Sequence, residues 1–328
     1  MGRDREPPRI SSSTTEAMGR LEANLPEEEL DLYDDEEEHR PVVLHDICNG
    51  PPKQVRSVLT RLCYEDKYKR LEDAAGPRNK LLLRVGREPG ARAVTGCLPS
   101  AFEKTKITAD RFRLKLRRDL GVPIFRASTP TDPLLCCFCD ELMDSWGDHA
   151  VSCSGDGLRN TKHNELRDAT QGCCNSADFK SNKESLGLLG KDGWERPADL
   201  RVRDWAGGKD AWFDVTIVNP FNLTHFDGGM RTFGFATEEA EKRKRNGAQT
   251  AAEEKGAIYI PLAFTTEGGM GVTAAKTFQI LAHRAADRWG SRVAGSLLKF
   301  RAQLAKAIAV GNAKQFQAHM WRRPTLDN

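Results

Sequence analysis

Hydrophobic and charged positions alternate from Ala198 to Trp205, where Leu200 and Val202 interleave with Arg201 and Arg203. That is the period of a strand with one buried face. Gly207-Gly208 breaks the pattern, and Trp212 to Val218 is then almost wholly apolar, aromatic or β-branched, as a strand buried on both faces would be, until Asn219-Pro220 ends it. Asp214 is the lone charge in that run. Elsewhere the period is helical. Asn160 to Gln171 predicts a helix carrying His163, Glu165, Leu166 and Asp168, and Ala236 to Lys255 predicts another, stopped by Gly256. Ala257 to Phe264 returns to a strand, and Thr273 to about Val310 predicts one or two long helices. Upstream, Val55 to Leu71 places Val55, Leu59, Leu62 and Tyr68 near one helical face. Thr105 to Leu120 reads as a basic amphipathic helix, although the alternation of Phe112, Leu114 and Leu116 leaves a strand open. Residues 177 to 189 fit either a weak strand or a loop. The order from Asn160 onward is helix, three strands, helix, strand, which predicts a mixed α/β core with extra helices at its end.

Charge changes this picture by splitting the chain. Residues 1 to 40 carry thirteen acids against five basic residues, and Glu27 to Glu38 holds nine acids in twelve positions, so this segment reads as a disordered acidic tail. The remaining 288 residues carry thirty-four acids against forty-five basic residues. A basic body favours a polyanionic partner. No run of about eighteen apolar residues exists and the start lacks a signal peptide's apolar stretch, so a membrane partner is not expected and an intracellular, nuclear location is. Nine cysteines without a secretion signal point to reduced thiols or a metal site more than to disulfides.

Four residues supply that metal chemistry. Cys136 and Cys139 stand two residues apart, the spacing at which a tight turn aims two thiolates at one ion, and His149 and Cys153 stand three apart, one helical turn. C-x2-C-x9-H-x3-C predicts a closed, structural Cys₃His zinc site, with Cys137 as a spare that leaves the register open.

Two acids carry the second chemistry. Asp214 inside a core strand is costly to desolvate without a positive partner, and Asp199, on the neighbouring strand, makes a shared cation an apt partner. Oxygen ligands of this kind suit Mg²⁺ or Mn²⁺. A turn cap at Asp199 and an arginine partner for Asp214 would satisfy the same pattern without an ion.

In order, these pieces resemble the restriction-enzyme-like endonuclease domain at the C-terminus of site-specific non-long-terminal-repeat retrotransposons, a branch of the PD-(D/E)xK nucleases. The knuckle is followed by Lys162-His163, by Arg196-Pro197-Ala198-Asp199, by Asp214-Val215-Thr216 with fourteen residues between the two acids, and by Glu241-Lys242-Arg243-Lys244-Arg245. The likeness covers about residues 95 to 285. Ala198 is an insertion before the first acid, Thr216 stands where the broad superfamily has its lysine, Asn246 stands where the family often has Tyr, and no reverse transcriptase precedes the domain. The resemblance implies a PD-(D/E)xK mixed sheet flanked by helices and a Mg²⁺-dependent DNA endonuclease with a structural zinc. Asp199 and Asp214 would hold the ion, Lys242 would be the catalytic lysine because this branch draws it from the helix, and Glu165 would be a third acid. His163, Arg243, Lys244 and Arg245 would contact DNA, and the element's own RNA is a further expected partner. The expected organisation is an acidic tail at 1–40, a helical linker at 41–130, the knuckle at 131–158, the nuclease core at 159–272 and C-terminal helices at 273–328. A zinc-stabilised nucleic-acid-binding module that no longer cleaves is the competing expectation.

Overall fold

A computed structural model describes residues 52–101, 104–183 and 198–321. The acidic tail, residues 184–189 of the ambiguous segment, Trp194 and the Arg196-Pro197 half of the first acid motif lie outside the described residues. The chain divides into two compact units, Met1–Ala74 and Ala75–Asn328. The described part of the first is one helix, α1 (Pro52–Ala74).

The second unit is built on a four-stranded sheet in the order β1-β2-β3-β4. β2 (Leu200–Ala206) and β3 (Lys209–Val218) form an antiparallel hairpin. Gly207 and Gly208 both adopt positive φ, 59° and 74°, as a two-residue turn matched to strand twist requires. Asp204, at φ 51°, lies where the register shifts between Val202 and Ala206, a bulge the sequence pattern does not announce. β1 (Ser181–Lys183) pairs antiparallel with β2, which resolves the ambiguous segment as a strand as far as Lys183. β4 (Ile258–Thr265) pairs parallel with β3. That pairing needs a crossover, supplied by α6 (Leu223–Arg231) and α7 (Phe235–Glu254).

The even-numbered side chains of β3 face α7: Val218 packs with Ala236, Ala240 and Ala263, and Trp212 with Ala252, Ala257 and Tyr259. α7 ends where Gly256 turns to φ 68° and the Ala257 N–H donates to the Ala252 carbonyl at 2.9 Å. The other sheet face receives α5 (Leu158–Ser176) and α8 (Val272–Trp289), with Phe264 of β4 against Phe278 of α8. α9 (Val293–Trp321) lies over α5 and α8. Burying Phe213, Phe264, Phe278 and Phe300 almost completely contributes roughly 2 kcal/mol each by removing apolar area from water. Upstream lie α2 (Pro77–Val85), α3 (Ala93–Gly96) and α4 (Ala109–Asp119), so the open choice for Thr105–Leu120 resolves as a helix.

A buried ionic chain ties these layers together. Arg118 of α4 reaches Asp148 at 3.0 Å and Glu267, just past β4, at 2.7 Å, and Arg78 of α2 also pairs with Asp148 at 2.7 Å. Lys162 of α5 is equally enclosed. Its ammonium donates to the Val151 carbonyl at 2.9 Å and to Asn312 Oδ1 of α9 at 3.1 Å, and its stem runs over Gly311, where a Cβ would come within 2.5 Å of it. Burial, then Arg118, push its pKa down to about 7.

Candidate functional site

The first site is the cysteine-rich knuckle, where Cys136, Cys139, His149 and Cys153 bring their ligand atoms within 4.8 Å of one another. Cys136 Sγ lies 3.7 Å from Cys153 Sγ, Cys153 Sγ 3.8 Å from Cys139 Sγ, and Cys139 Sγ 3.3 Å from His149 Nε2. Four ligands held tetrahedrally by an ion bonding sulfur at about 2.3 Å would set the sulfurs about 3.8 Å apart. This cluster is therefore shaped for one metal ion, in the register C-x2-C-x9-H-x3-C, and the spare Cys137 is not part of it. Local backbone explains the convergence. The bridge between Leu135 and Leu142 and the Asp140 N–H donating to the Cys136 carbonyl fold the first half back. Asp144 accepts from the N–H groups of Trp146, Asp148 and His149 and fixes the second half. Gly147, at φ 81°, leaves room for Phe316 of α9, whose ring a Cβ would meet at 2.6 Å. Burial, with Cys136 and Cys139 alongside, pushes the Cys153 thiol up to about 12 in the metal-free chain, so ligation would release a proton and bind metal more tightly as pH rises.

The second site lies where β2 stops and β3 continues. Leu200 pairs with Phe213, so Asp199, just ahead of β2, is the next residue along from that pair on one strand and Asp214 of β3 the next on the other. Past that pair, the Val215 N–H and C=O have no strand beside them and need partners. Asp199 Oδ2 accepts from the Val215 N–H at 2.7 Å, and His163 of α5 places Nε2 2.9 Å from the Val215 carbonyl and 3.2 Å from Asp199 Oδ2. Lys244 of α7 donates to Asp214 Oδ1 at 2.9 Å, and the Tyr259 hydroxyl of β4 donates to Asp214 Oδ2 at 2.5 Å.

These contacts set the protonation states. Burial pushes the Asp199 carboxyl up, but the His163 hydrogen bond and charge, the Val215 N–H and the Lys244 charge outweigh it, so it sits below the ordinary carboxylate range. The hydrogen bond to Asp199 raises His163 in spite of burial. Burial, then Asp214, then Asp199 hold Tyr259 far above its ordinary value, so its hydroxyl stays a neutral donor.

Of the residues the sequence nominated, Asp199, Asp214, His163 and Lys244 meet here. Lys242 does not. It is exposed and pairs with Glu238 at 2.9 Å and Glu239 at 3.3 Å, because two residues along a helix turn a side chain about 200°. The expectation that Lys242 leans over the acids is corrected to Lys244. Glu165 lies on another face of α5 and pairs with Lys314 of α9. Arg243 is exposed, and Arg245 turns to the Thr273 hydroxyl at 2.6 Å. Lys162, the basic half of the Lys-His pair, is the enclosed tether described above. Trp205, half-buried, packs between Phe179 and Phe213, and Trp212, 2% exposed, belongs to the core.

Two signals could have refined the sequence reading. Ala236, Ala240, Ala248 and Ala252 recur every four residues on α7, and Lys244 is the charged residue that interrupts this stripe. Tyr259 carries the only hydroxyl in the apolar run Ile258–Phe264 and lies two residues short of the position paired with Asp214.

No helix among the described residues is long and apolar enough to cross a membrane. No model of a known protein family matches the chain, and no curated protein does either.

Proposed function

We propose that the chain is a retroelement-derived, metal-dependent DNA endonuclease of the PD-(D/E)xK type, with Zn²⁺ in the knuckle and Mg²⁺ or Mn²⁺ at the acid pair. The observation that carries this reading is Asp199 at the entry to β2 and Asp214 in β3 with one ammonium from the crossover helix, Lys244, which lies 2.9 Å from Asp214 and whose charge also acts on Asp199. The mixed sheet and the knuckle preceding it agree with the resemblance, and soft sulfur donors with one imidazole suit zinc.

The donor set at the acid pair fits a hard divalent ion. Asp199 and Asp214 offer carboxylate oxygens at adjoining backbone positions, and each oxygen already in a hydrogen bond keeps a second lone pair. Such an ion would be held by these two residues, lower the pKa of the attacking water and neutralise charge on the phosphate. The chain's own groups do the rest. Lys244 balances Asp214 and keeps an ammonium where a scissile phosphate would gain charge. His163 and the Val215 N–H fix the Asp199 carboxylate in one orientation and keep it ionised. Tyr259 anchors the second oxygen of Asp214.

The test is nicking of supercoiled plasmid and of branched duplex DNA by the purified full chain in Mg²⁺ or Mn²⁺. Cleavage should disappear in Asp199→Ala and in Asp214→Ala. Cleavage unchanged in both variants would remove the mechanism. One observation favours the second reading, a zinc-stabilised module that binds nucleic acid without cutting it: both oxygens of Asp214 are already taken by protein donors, Lys244 and Tyr259. That protein would shift DNA in a gel with or without Mg²⁺ and leave it intact.

A further inference from the structure

A groove of about 580 Å³ runs along α9 on a different face of α5 from His163 and the acid pair. Its floor is a stripe of α9 containing Lys299, Lys306 and Lys314, and its walls are α5 and the segment from Lys104 to Arg111. From Lys299 to Lys314 the stripe extends about 22 Å along the helix axis at 1.5 Å per residue. Six cationic side chains line the groove against two acids, and both acids are already held by cations: Glu165 by Lys314, and Asp168 by Lys183 at 2.8 Å and Arg167 at 3.2 Å. Lys306 donates to the Lys104 backbone carbonyl at 2.7 Å, which ties α9 to the segment that forms this wall of the groove. Burial, with Lys104 nearby, holds the Lys306 ammonium below its ordinary value, so an anion entering here would relieve repulsion as well as form contacts.

We propose that this groove is a binding track for the phosphate backbone of single-stranded nucleic acid, read without regard to sequence. Three features select that ligand. The cations are strung over several helical turns, with Lys299, Lys306 and Lys314 about 10 to 12 Å apart along α9 and Lys104, Lys106 and Arg111 on the wall, as a chain of phosphates requires and a single phosphate does not. The groove is walled on both sides and its volume is that of a pocket enclosing a small ligand, which suits one strand better than two. None of the described lining residues is aromatic, so the groove offers charge and no stacking platform for bases. The proposal takes its kind of polyanion from the nucleic-acid reading above, while its residues are separate from those of the acid pair.

The experiment is fluorescence anisotropy of a short labelled oligothymidylate with the Asp199→Ala/Asp214→Ala full chain in chelator-free buffer without Mg²⁺ or Mn²⁺, where the knuckle keeps its ion, cleavage is absent and only binding is read. Lys106→Glu/Lys306→Glu should weaken binding at least about tenfold and lower the slope of log affinity against log salt by about 1.4, the value for two phosphate contacts on a single strand. Lys106→Glu alone, at an exposed side chain, should give about half that slope change and guards against misfolding of the double variant. Lys209→Glu/Lys255→Glu, at exposed side chains outside both the groove and the acid pair, should change affinity less than about twofold. Wild-type affinity in the groove variants would overturn the proposal, and so would a duplex of the same length displacing the oligonucleotide as well as an unlabelled single strand does. If the groove variants lose binding while the wild-type chain never cuts DNA, the track stands and the nuclease reading falls. If cutting persists in groove variants that bind normally, the reverse holds.

Discussion

The knuckle and the acid pair are both clusters of metal-capable side chains, yet they treat charge in opposite ways. In the knuckle, four ligand atoms lie within 4.8 Å, and no ion pair among the described residues ends on any of them. At the acid pair, the protein itself supplies positive partners, His163 for Asp199 and Lys244 for Asp214. A cluster that leaves its charge unanswered depends on an ion to be formed at all. A cluster balanced from within can persist without one and bind it reversibly, as a site that turns over must.

The largest expected break in this comparison is at the knuckle. Cys136→Ser or Cys153→Ser should abolish stoichiometric zinc, read by metal analysis, and destabilise the second unit by about 3 kcal/mol or more in urea titration, because a buried ligand set without its ion is left unpaired. Asp199→Ala should cost far less stability, and a loss as large as that of the cysteine variants would erase the distinction between the two sites.

Next in size is the choice of lysine. If the chain cleaves DNA, Lys244→Ala should lower kcat by about 10²- to 10³-fold, the usual cost of removing one preorganised charge, whereas Lys242→Ala should stay within about twofold. Equal losses would return Lys242 to the mechanism.

The acid pair should also respond to pH where the knuckle's ion masks the effect. His163 has a folded pKa raised above its unfolded value, so its contribution is fully present below about 6.5 and is lost as pH rises through the higher folded value. Asp199 is depressed, so its contribution is present above the unfolded value near 4 and is lost as pH falls through the lower folded one. The pair should therefore be strongest between those limits. Urea titrations at several pH values should show His163→Asn destabilising by about 1 kcal/mol or less near pH 6 and by less as pH climbs. A cost that grows with pH would contradict this assignment. The smallest effect is expected for Tyr259→Phe, about 1 kcal/mol of stability, together with tighter Mg²⁺ binding by calorimetry, because one oxygen of Asp214 is released.

The same contrast governs what could be read from sequence. The knuckle closes within eighteen residues, so spacing alone names its ligands. β2, β3 and α7 were legible because their periods are regular and Gly207-Gly208 and Gly256 stop them at positive φ. The acid pair was legible as two strands joined by a short turn, but its supporting cast was not. Choosing Lys244 over Lys242 depends on which face of α7 meets the sheet, and Tyr259 arrives through a parallel pairing that local pattern does not specify. α6 escaped notice because Gly228-Gly229 at its centre argues against a helix. Those glycines are there for contact: a Cβ at Gly228 would strike the Phe235 ring at 2.2 Å, and one at Gly229 would meet Leu81 at 2.9 Å. The partners of Glu165 and Arg245, Lys314 and Glu241 with Thr273, were not legible because they include residues on other helices.

Arg118 is one guanidinium shared between Asp148, the neighbour of a knuckle ligand, and Glu267 at the exit of the last strand. A newly synthesised chain cannot seat that side chain until both halves of the second unit are in place, and stripping one acid from a buried pair costs about 3 to 5 kcal/mol. If the knuckle holds an ion, its loading and completion of the sheet would form a single checkpoint, and molecules starved of the ion would be more open to proteolysis.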